Sequence, residues 1–283
     1  MPDCECVDFL QWALPQMGFR WLGFRKVRGQ VCKRITRRRA ELGLPTLAAY
    51  RQYLGSEPGE WKVLDGLCRI TISRFGRDRA VFERLATEIL PRLLDGQRAG
   101  DPETVRIWSA GCGAGEEPYS LAVLAGRQGT TGRPGAELAI VATDADEHQI
   151  DRASTAIYPA SSLRELSSEI RDRAFSKVGS DAFQLRATWR MGIEFSVQDL
   201  RWNMPEGPFD LILCRNLVFT YFDIELQSRI LRALIGRLTA GGYLVIGSHE
   251  ELPEQLADLP AIRGCSCILG PLVLCNNERR HDG

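Results

Sequence analysis

The chain has 283 residues, 44% of them apolar and 25% charged, and its 36 basic side chains balance 36 acidic ones. This is the composition of a folded globular chain, long enough for one large domain and a smaller one. No apolar run approaches the ~18 residues of a membrane span, which argues against insertion into a bilayer.

The neutral balance is unevenly laid out. The stretch RWLGFRKVRGQVCKRITRRR, residues 20–39, holds nine basic residues and no acid. Such a segment is either a solvated cationic face or a dock for an acidic partner. The nine cysteines and three histidines are scattered. Cys4/Cys6 and Cys265/Cys267 are C-x-C pairs, without the C-x-x-C spacing or nearby histidines of a zinc site. The expectation is therefore no metal, with the cysteines as thiols in a reducing compartment. The N-terminal MPDCECVDFLQWALPQMGF carries acids where a secretion signal carries bases, which reads as cytoplasmic.

Residues 1–95 read as an all-helical domain. VCKRITRRRAEL places Val31, Ile35 and Leu42 near helical spacing and stops at Gly43 and Pro45. TLAAYRQYL and EWKVLDGLCRI predict two more helices. RAVFERLATEILPRLL predicts a longer fourth, which Pro91 kinks or ends. The polar DGQRAGDPET predicts a linker.

Beyond it, over residues 96–283, the period changes. VRIWSAG, ELAIVATDA, FDLILCRN and GYLVIGSHE predict strands, and the first three are followed by helical patterns. Strands alternating with helices imply a parallel sheet covered on both faces. FQLRATWRMGIEFSVQDL alternates as a small antiparallel sheet does and ends in a further core strand, IEFSVQ. That predicts an inserted β-subdomain at about 175–193. CSCILGPLVLC predicts a closing hairpin or edge strand.

The chemistry gathers around WSAGCGAGEEPYSLAVL, residues 108–124, where a glycine turn links a strand to a helix. Ligands of open α/β sheets bind at such strand ends. Gly111, Gly113 and Gly115 lack the spacing of the dinucleotide fingerprint, and no G-K-[ST] follows to meet a triphosphate. Glu116 and Glu117 oppose a phosphate at this helix N-terminus, where anions otherwise settle. S-adenosylmethionine has a nucleoside, an ammonium, a carboxylate and a sulfonium, but no phosphate. Asp144, ending the second strand, is placed either to take ribose hydroxyls or to begin a helix, and Asp146 to cap that helix. Turn, acids and strand order together point to a methyltransferase.

RIWSAGCGAGEEPYSLA, ATDADEHQIDRASTAIY, FDLILCRN and GGYLVIGSHE resemble the CheR family of chemoreceptor glutamate methyltransferases, in the same order over nearly the whole chain. KRITRRRAELGL resembles that family's basic helix and TISRFGRD its signature segment. The resemblance implies an α/β fold, a Rossmann-like class I methyltransferase sheet of seven strands. An all-helical N-terminal domain precedes it, and a small antiparallel β-subdomain is inserted. It implies S-adenosylmethionine as cofactor and S-adenosylhomocysteine as product. By position it assigns cofactor contacts to Thr71, Ser73, Arg77, Gly111, Gly113, Glu117, Asp144, Asp199, Leu200, Asn216 and Leu217. Arg77 and Tyr221 would flank the methyl-transfer centre. Otherwise Arg77 is a surface ion-pair partner of Asp78 or Glu83, and Tyr221 an aromatic packed at a helix start.

This chain departs from the family pattern in places. Phe75-Gly76 stands where two phenylalanines are usual, CRNLVFTYFD is one residue longer between Asn216 and Tyr221, and Asp199-Leu200 replaces Asn-Leu. FSKVGSDAFQLRATWRMG lacks the glycine-bearing loop of members that bind a receptor's tail peptide, so tail tethering is not expected. The implied partner is an acidic helical protein, the cytoplasmic domain of a chemoreceptor, docked on Lys33, Arg34, Arg37 and Arg38. A glutamate acceptor, with a pKa of about 4.3, is already anionic at neutral pH and needs no general base. A small-molecule O-methyltransferase and a non-catalytic cofactor-binding adaptor are the competing readings. Nucleic acid is not expected, because CRNL replaces the Asn-Pro-Pro-aromatic motif of such enzymes.

Overall fold

The computed structural model of the chain describes residues 3–95, 104–127, 137–253, 261–262 and 265–270. Helices α1 (Asp3–Ala13), α2 (Trp21–Phe24), α3 (Arg28–Glu41), α4 (Leu47–Ser56) and α5 (Glu60–Cys68) come first. Next come α6 (Arg79–Arg84) and α7 (Leu90–Leu94), joined by a π-helical turn at Leu85–Ile89. Strand β1 (Thr104–Ala110), α8 (Glu116–Arg127), β2 (Glu137–Asp144) and α9 (Glu147–Thr155) follow. After them lie β3 (Ile157–Pro159), α10 (Ser168–Ala174), β4 (Phe175–Val178), β5 (Ala182–Leu185), β6 (Ile193–Val197) and β7 (Phe209–Leu213). The last elements are α11 (Val218–Tyr221), α12 (Ile224–Ile235), β8 (Leu238–Val245), β9 (Ala261–Ile262) and β10 (Cys265–Leu269).

The chain divides into two compact units, one of residues 1–72 with 216–229, the other of residues 73–215 with 230–283. This moves the boundary expected after residue 95. The cause is the apolar side of α6, the π-turn and α7, where Val81, Phe82, Leu85, Ile89, Leu90 and Leu93 are buried and α6 lies against β10, so these helices belong to the second unit. The single helix expected over 79–94 is three pieces. Pro91 sits in the first turn of α7 directly after the π-turn, as expected of a residue that lacks the amide needed to continue the ladder. The linker expected at 95–104 falls mostly on residues 96–103, outside the described residues.

In the helical unit, Leu10, Leu14, Val31, Ile35, Tyr50, Leu54 and Leu64 are fully buried, one from each turn facing the interior. Thr46 caps α4 by accepting the Ala49 amide at 3.1 Å. The cysteine expectation fails at one pair: Cys6 on α1 and Cys32 on α3 are joined by a disulfide, their Cα atoms 6.1 Å apart. A sequence separation of 26 does not reveal that two helices bring these buried side chains together. Cys4, Cys68, Cys112, Cys214 and Cys267 are free thiols. Segment 216–229 completes this unit. Phe19 and Phe222 form an antiparallel bridge and stack at 5.4 Å, and the Arg20 guanidinium donates to the carbonyls of Phe219 and Thr220.

In the second unit seven strands run in the order β6-β2-β1-β7-β8-β10-β9. The neighbours from β6 to β8 are parallel, while β10 is antiparallel to both β8 and β9. β7 is buried at all five positions, in keeping with its apolar Phe209 and Leu211-Ile212-Leu213. Its one acid, Asp210, accepts from the Arg106 amide at 2.8 Å and the Thr239 hydroxyl at 3.1 Å. The strand order reverses at β1, paired with β2 on one side and β7 on the other. A second sheet, β3-β5-β4, is antiparallel throughout. It is the expected β-subdomain, with two adjustments. Its outer strand β3 comes from Ile157-Tyr158-Pro159, too short for a periodic signal, and Ile193 already belongs to the main sheet through β6. The closing strand is β10, and the rest of the expected hairpin lies outside the described residues.

Candidate active site

The site grows from the end of β1. Gly111, Gly113 and Gly115 adopt φ of 78°, 56° and 89°, a left-handed run open to glycine. At Gly113 an added Cβ would meet nothing nearer than the Ser73 Cβ at 3.9 Å, so the backbone angle alone demands glycine. The amides of Gly111 and Cys112 donate to the Thr143 carbonyl at 2.8 and 2.9 Å, tying the turn to the end of β2. One residue on, Asp144 accepts from the Gly113 amide at 2.9 Å through Oδ2 and from the Asp146 amide at 2.9 Å through Oδ1. Asp146 caps α9, accepting the His148 amide at 3.0 Å, as its position implied. The Cys112 thiol lies within the turn; burial, and next the charge of Asp144, push its pKa well up, so it stays protonated and unreactive.

The two glutamates opening α8 have different environments. Glu117 accepts from the Ser109 hydroxyl at 2.8 Å and from Arg215 at 2.9 Å. Glu116 is 3% exposed, and its Oε2 is buried without a hydrogen-bond partner. Burial pushes its pKa up, opposed in part by a bond from its own backbone amide, then by the charge of Arg152 and by its hydrogen bond to Ser73. Ser73 and Gly76 therefore lie against the first turn of α8, where the Gly76 amide also donates to Ser120 Oγ at 3.0 Å. Gly76, where the family usually has a second phenylalanine, has φ 64°. Phe75 is fully buried, edge-on to Tyr158 at 4.8 Å and Phe175 at 5.0 Å, and anchors the signature segment. Arg77 follows, its carbonyl accepting from Arg215 at 2.9 Å.

Asp199 and Leu200 lie just past β6. Leu200 is buried, and the Asp199 carboxylate is gripped by the Arg201 guanidinium at 2.6 and 2.9 Å. Beside them the Gln198 amide donates to the Asp144 carbonyl at 2.9 Å, and its side-chain Oε1 is buried without a partner. Ser73, Arg77, Gly111, Gly113, Glu117, Asp144, Asp199 and Leu200 thus all belong to the sheet unit. Thr71, Asn216, Leu217 and Tyr221 belong to the helical unit. There Asn216 has φ 56°, and the half-buried Tyr221 packs edge-on against Phe24 at 5.1 Å. The basic helix α3 is also in that unit, and its cations are of two kinds. Arg34 donates to the carbonyls of Leu67 and Arg69, and Arg38 to Glu60, whereas Lys33 and Arg37 are exposed.

Sequence reasoning named Glu116 only as an acid opposing phosphate, and missed Gln198 and Arg215. The doubled acid of GEEP and the arginine of CRN were visible, but only tertiary contacts show which oxygen lacks a partner and which cation is buried. Three buried side-chain atoms beside the turn have no hydrogen-bond partner: the acceptors Glu116 Oε2 and Gln198 Oε1 and the donor Arg215 Nε. With Glu116, Glu117 and Asp144 around this turn, a phosphate-free ligand that carries a cationic group fits the site; a nucleotide polyphosphate does not. Among common cofactors that ligand is S-adenosylmethionine, and the class is that of the methyltransferases.

A family model described as the SAM-binding domain of CheR methyltransferase matches residues 71–265. A chemotaxis protein methyltransferase of Listeria monocytogenes is 37% identical over 186 residues, which cover 66% of this chain and 67% of that one. Chemotaxis protein methyltransferase 1 of Pseudomonas aeruginosa is 32% identical over 242 residues, covering 83% and 86% of the two chains. The chain belongs to the CheR family of S-adenosylmethionine-dependent methyltransferases. No helix among the described residues is long and apolar enough to cross a membrane.

Proposed function

We propose that this chain methylates glutamate side chains of an acidic, helical protein, the cytoplasmic domain of a chemoreceptor, forming glutamyl methyl esters. The observation that carries the reading is the likeness to relatives named as chemotaxis methyltransferases over up to 83% of the chain. When bound, S-adenosylmethionine supplies an electrophilic methyl on a sulfonium, which leaves as a neutral thioether. The protein's part is to position the reactants and exclude water, since a carboxylate nucleophile needs no base.

In this reading Asp144 takes the ribose hydroxyls, Glu117 the ammonium of the cofactor, and Asp199 with Leu200 the adenine. Ser73, Thr71, Asn216 and Leu217 complete the cofactor contacts, and the backbone at Gly111 and Gly113 admits its close approach. Arg77 orients a carboxylate through its planar fork of donors, and Tyr221 lines the path of the methyl. Lys33 and Arg37 supply the exposed charge that attracts the acidic substrate, while Arg34 and Arg38 hold the helical unit together. The test offers labelled S-adenosylmethionine with receptor cytoplasmic fragments and treats the labelled product with alkali. Volatile methanol from receptor protein is the expected outcome. Alkali-stable label, or label on free metabolites and never on protein, overturns the reading.

A further inference from the structure

Arg215 makes three side-chain hydrogen bonds beside the glycine turn, while its Nε is buried without a partner. Its side chain is 2% exposed and stands at the end of β7. Nη1 donates to Glu117 Oε2 at 2.9 Å, while Nη2 donates to Asp78 Oδ2 at 2.6 Å and to the Arg77 carbonyl at 2.9 Å. The guanidinium also faces the ring of Phe82, its Cζ 5.2 Å from the centroid. Three chain segments distant in sequence meet on one planar cation: the first turn of α8, the 77–78 turn before α6, and the end of β7.

Two of these contacts set geometry. Glu117 has one oxygen held by Ser109 at the end of β1 and the other by Arg215 at the end of β7, so its carboxylate is pinned between adjacent strands. Each oxygen keeps a lone pair. Asp78 has φ 63°, an uncommon conformation for an aspartate, in the turn that presents Arg77. Arg215 braces that turn through both the Asp78 carboxylate and the preceding carbonyl. We infer that Arg215 is a positioning residue for methyl transfer: it orients Glu117 toward the cofactor and holds the turn bearing Arg77, touching neither reactant itself. The inference rests on the assignment of Glu117 as a cofactor contact. A lysine keeps the charge but reaches one partner at a time, so the planar fork is what the site uses.

The test measures S-adenosylhomocysteine affinity by calorimetry, and kcat and KM, for the full chain and for Arg215→Lys, Glu117→Gln, their double variant and Asp78→Asn, with a thermal melt of each. Arg215→Lys is expected to weaken by-product binding at least tenfold and to lower kcat as well. The double variant should lose no more affinity than the weaker single, because both act on one contact. Asp78→Asn, an isosteric change at a side chain 26% exposed, should weaken binding at least threefold. Wild-type affinity in Arg215→Lys or in Asp78→Asn, or losses that multiply in the double variant, overturns the inference. Full affinity in Glu117→Gln overturns the assignment of Glu117 and this inference with it, and a wild-type chain that does not bind the by-product overturns the cofactor site itself.

Discussion

Glu60 is a buried acid that works for stability and not for catalysis. Its carboxylate accepts from Arg38 at 2.9 and 2.8 Å and from the Tyr50 hydroxyl at 2.8 Å. The Arg38 hydrogen bonds hold its pKa below the ordinary value, against burial, which acts the other way. The unfolded chain, with a glutamate pKa of about 4.3, therefore binds this proton before the folded one does. The resulting stability is present above that pH and disappears as pH falls through the lower folded value. Glu60→Ala is expected to cost about 3 kcal/mol at pH 7, the scale of a broken buried pair, and less at pH 3. Urea unfolding of both proteins at the two pH values checks this. Arg77→Ala is a contrasting residue-scale case. Its guanidinium is assigned to a reacting carboxylate, so turnover should fall about a hundredfold at saturating cofactor with the melting temperature nearly unchanged. Turnover near the wild-type level would remove the assignment.

At the scale of elements, α2 and α11 touch backbone to backbone. A Cβ on Gly23 would lie 2.2 Å from the Thr220 carbonyl oxygen and 3.1 Å from the Tyr221 Cα. Neither atom is a flexible side-chain end, so Gly23→Ala must push α11 away. The expected cost is about 2 kcal/mol of stability, as for an overpacked core. If Tyr221, carried by α11, lines the methyl's path as proposed, kcat should fall more than S-adenosylhomocysteine affinity does. A melt, calorimetry and single-turnover rates separate the two effects. The sequence RWLGFRK marks a glycine in a basic stretch but not the helix that abuts it, since that helix lies about 200 residues further on. The same limit applies to α6 and α7. Their periodic apolar positions were legible, but nothing local shows which unit those positions face.

For the molecule as a whole, a net charge of zero conceals a cationic helical stretch over residues 20–39. Lys33 and Arg37 are exposed there one helical turn apart, and Lys26, in the turn before α3, is also exposed. Opposite charges steer encounter and are screened within about 10 Å at 0.1 M salt. Methylation of an acidic receptor fragment should therefore lose kcat/KM steeply as salt rises. The Lys33→Glu, Arg37→Glu double variant should flatten that dependence and lower the rate at low salt by about tenfold. A flat salt profile for the unmodified chain would remove the docking assignment. Arg38→Ala, in contrast, should act through stability, because its partner is the buried Glu60.

The sequence by itself determined the alternation of strands and helices, the glycine turn, the acid ending β2 and the phosphate-free character of the site. These depend on residues close together in the chain, where periodicity and turn chemistry report directly on local structure. Tertiary structure decided the rest. It assigned segment 216–229 to the helical unit and residues 73–95 to the sheet unit, and it joined Cys6 to Cys32. It also sorted Arg34 and Arg38 from Lys33 and Arg37, and brought Arg215 to Glu117 across 98 residues of sequence. Burial and partner choice depend on which distant segments pack together, and a local pattern of residue types carries no record of that.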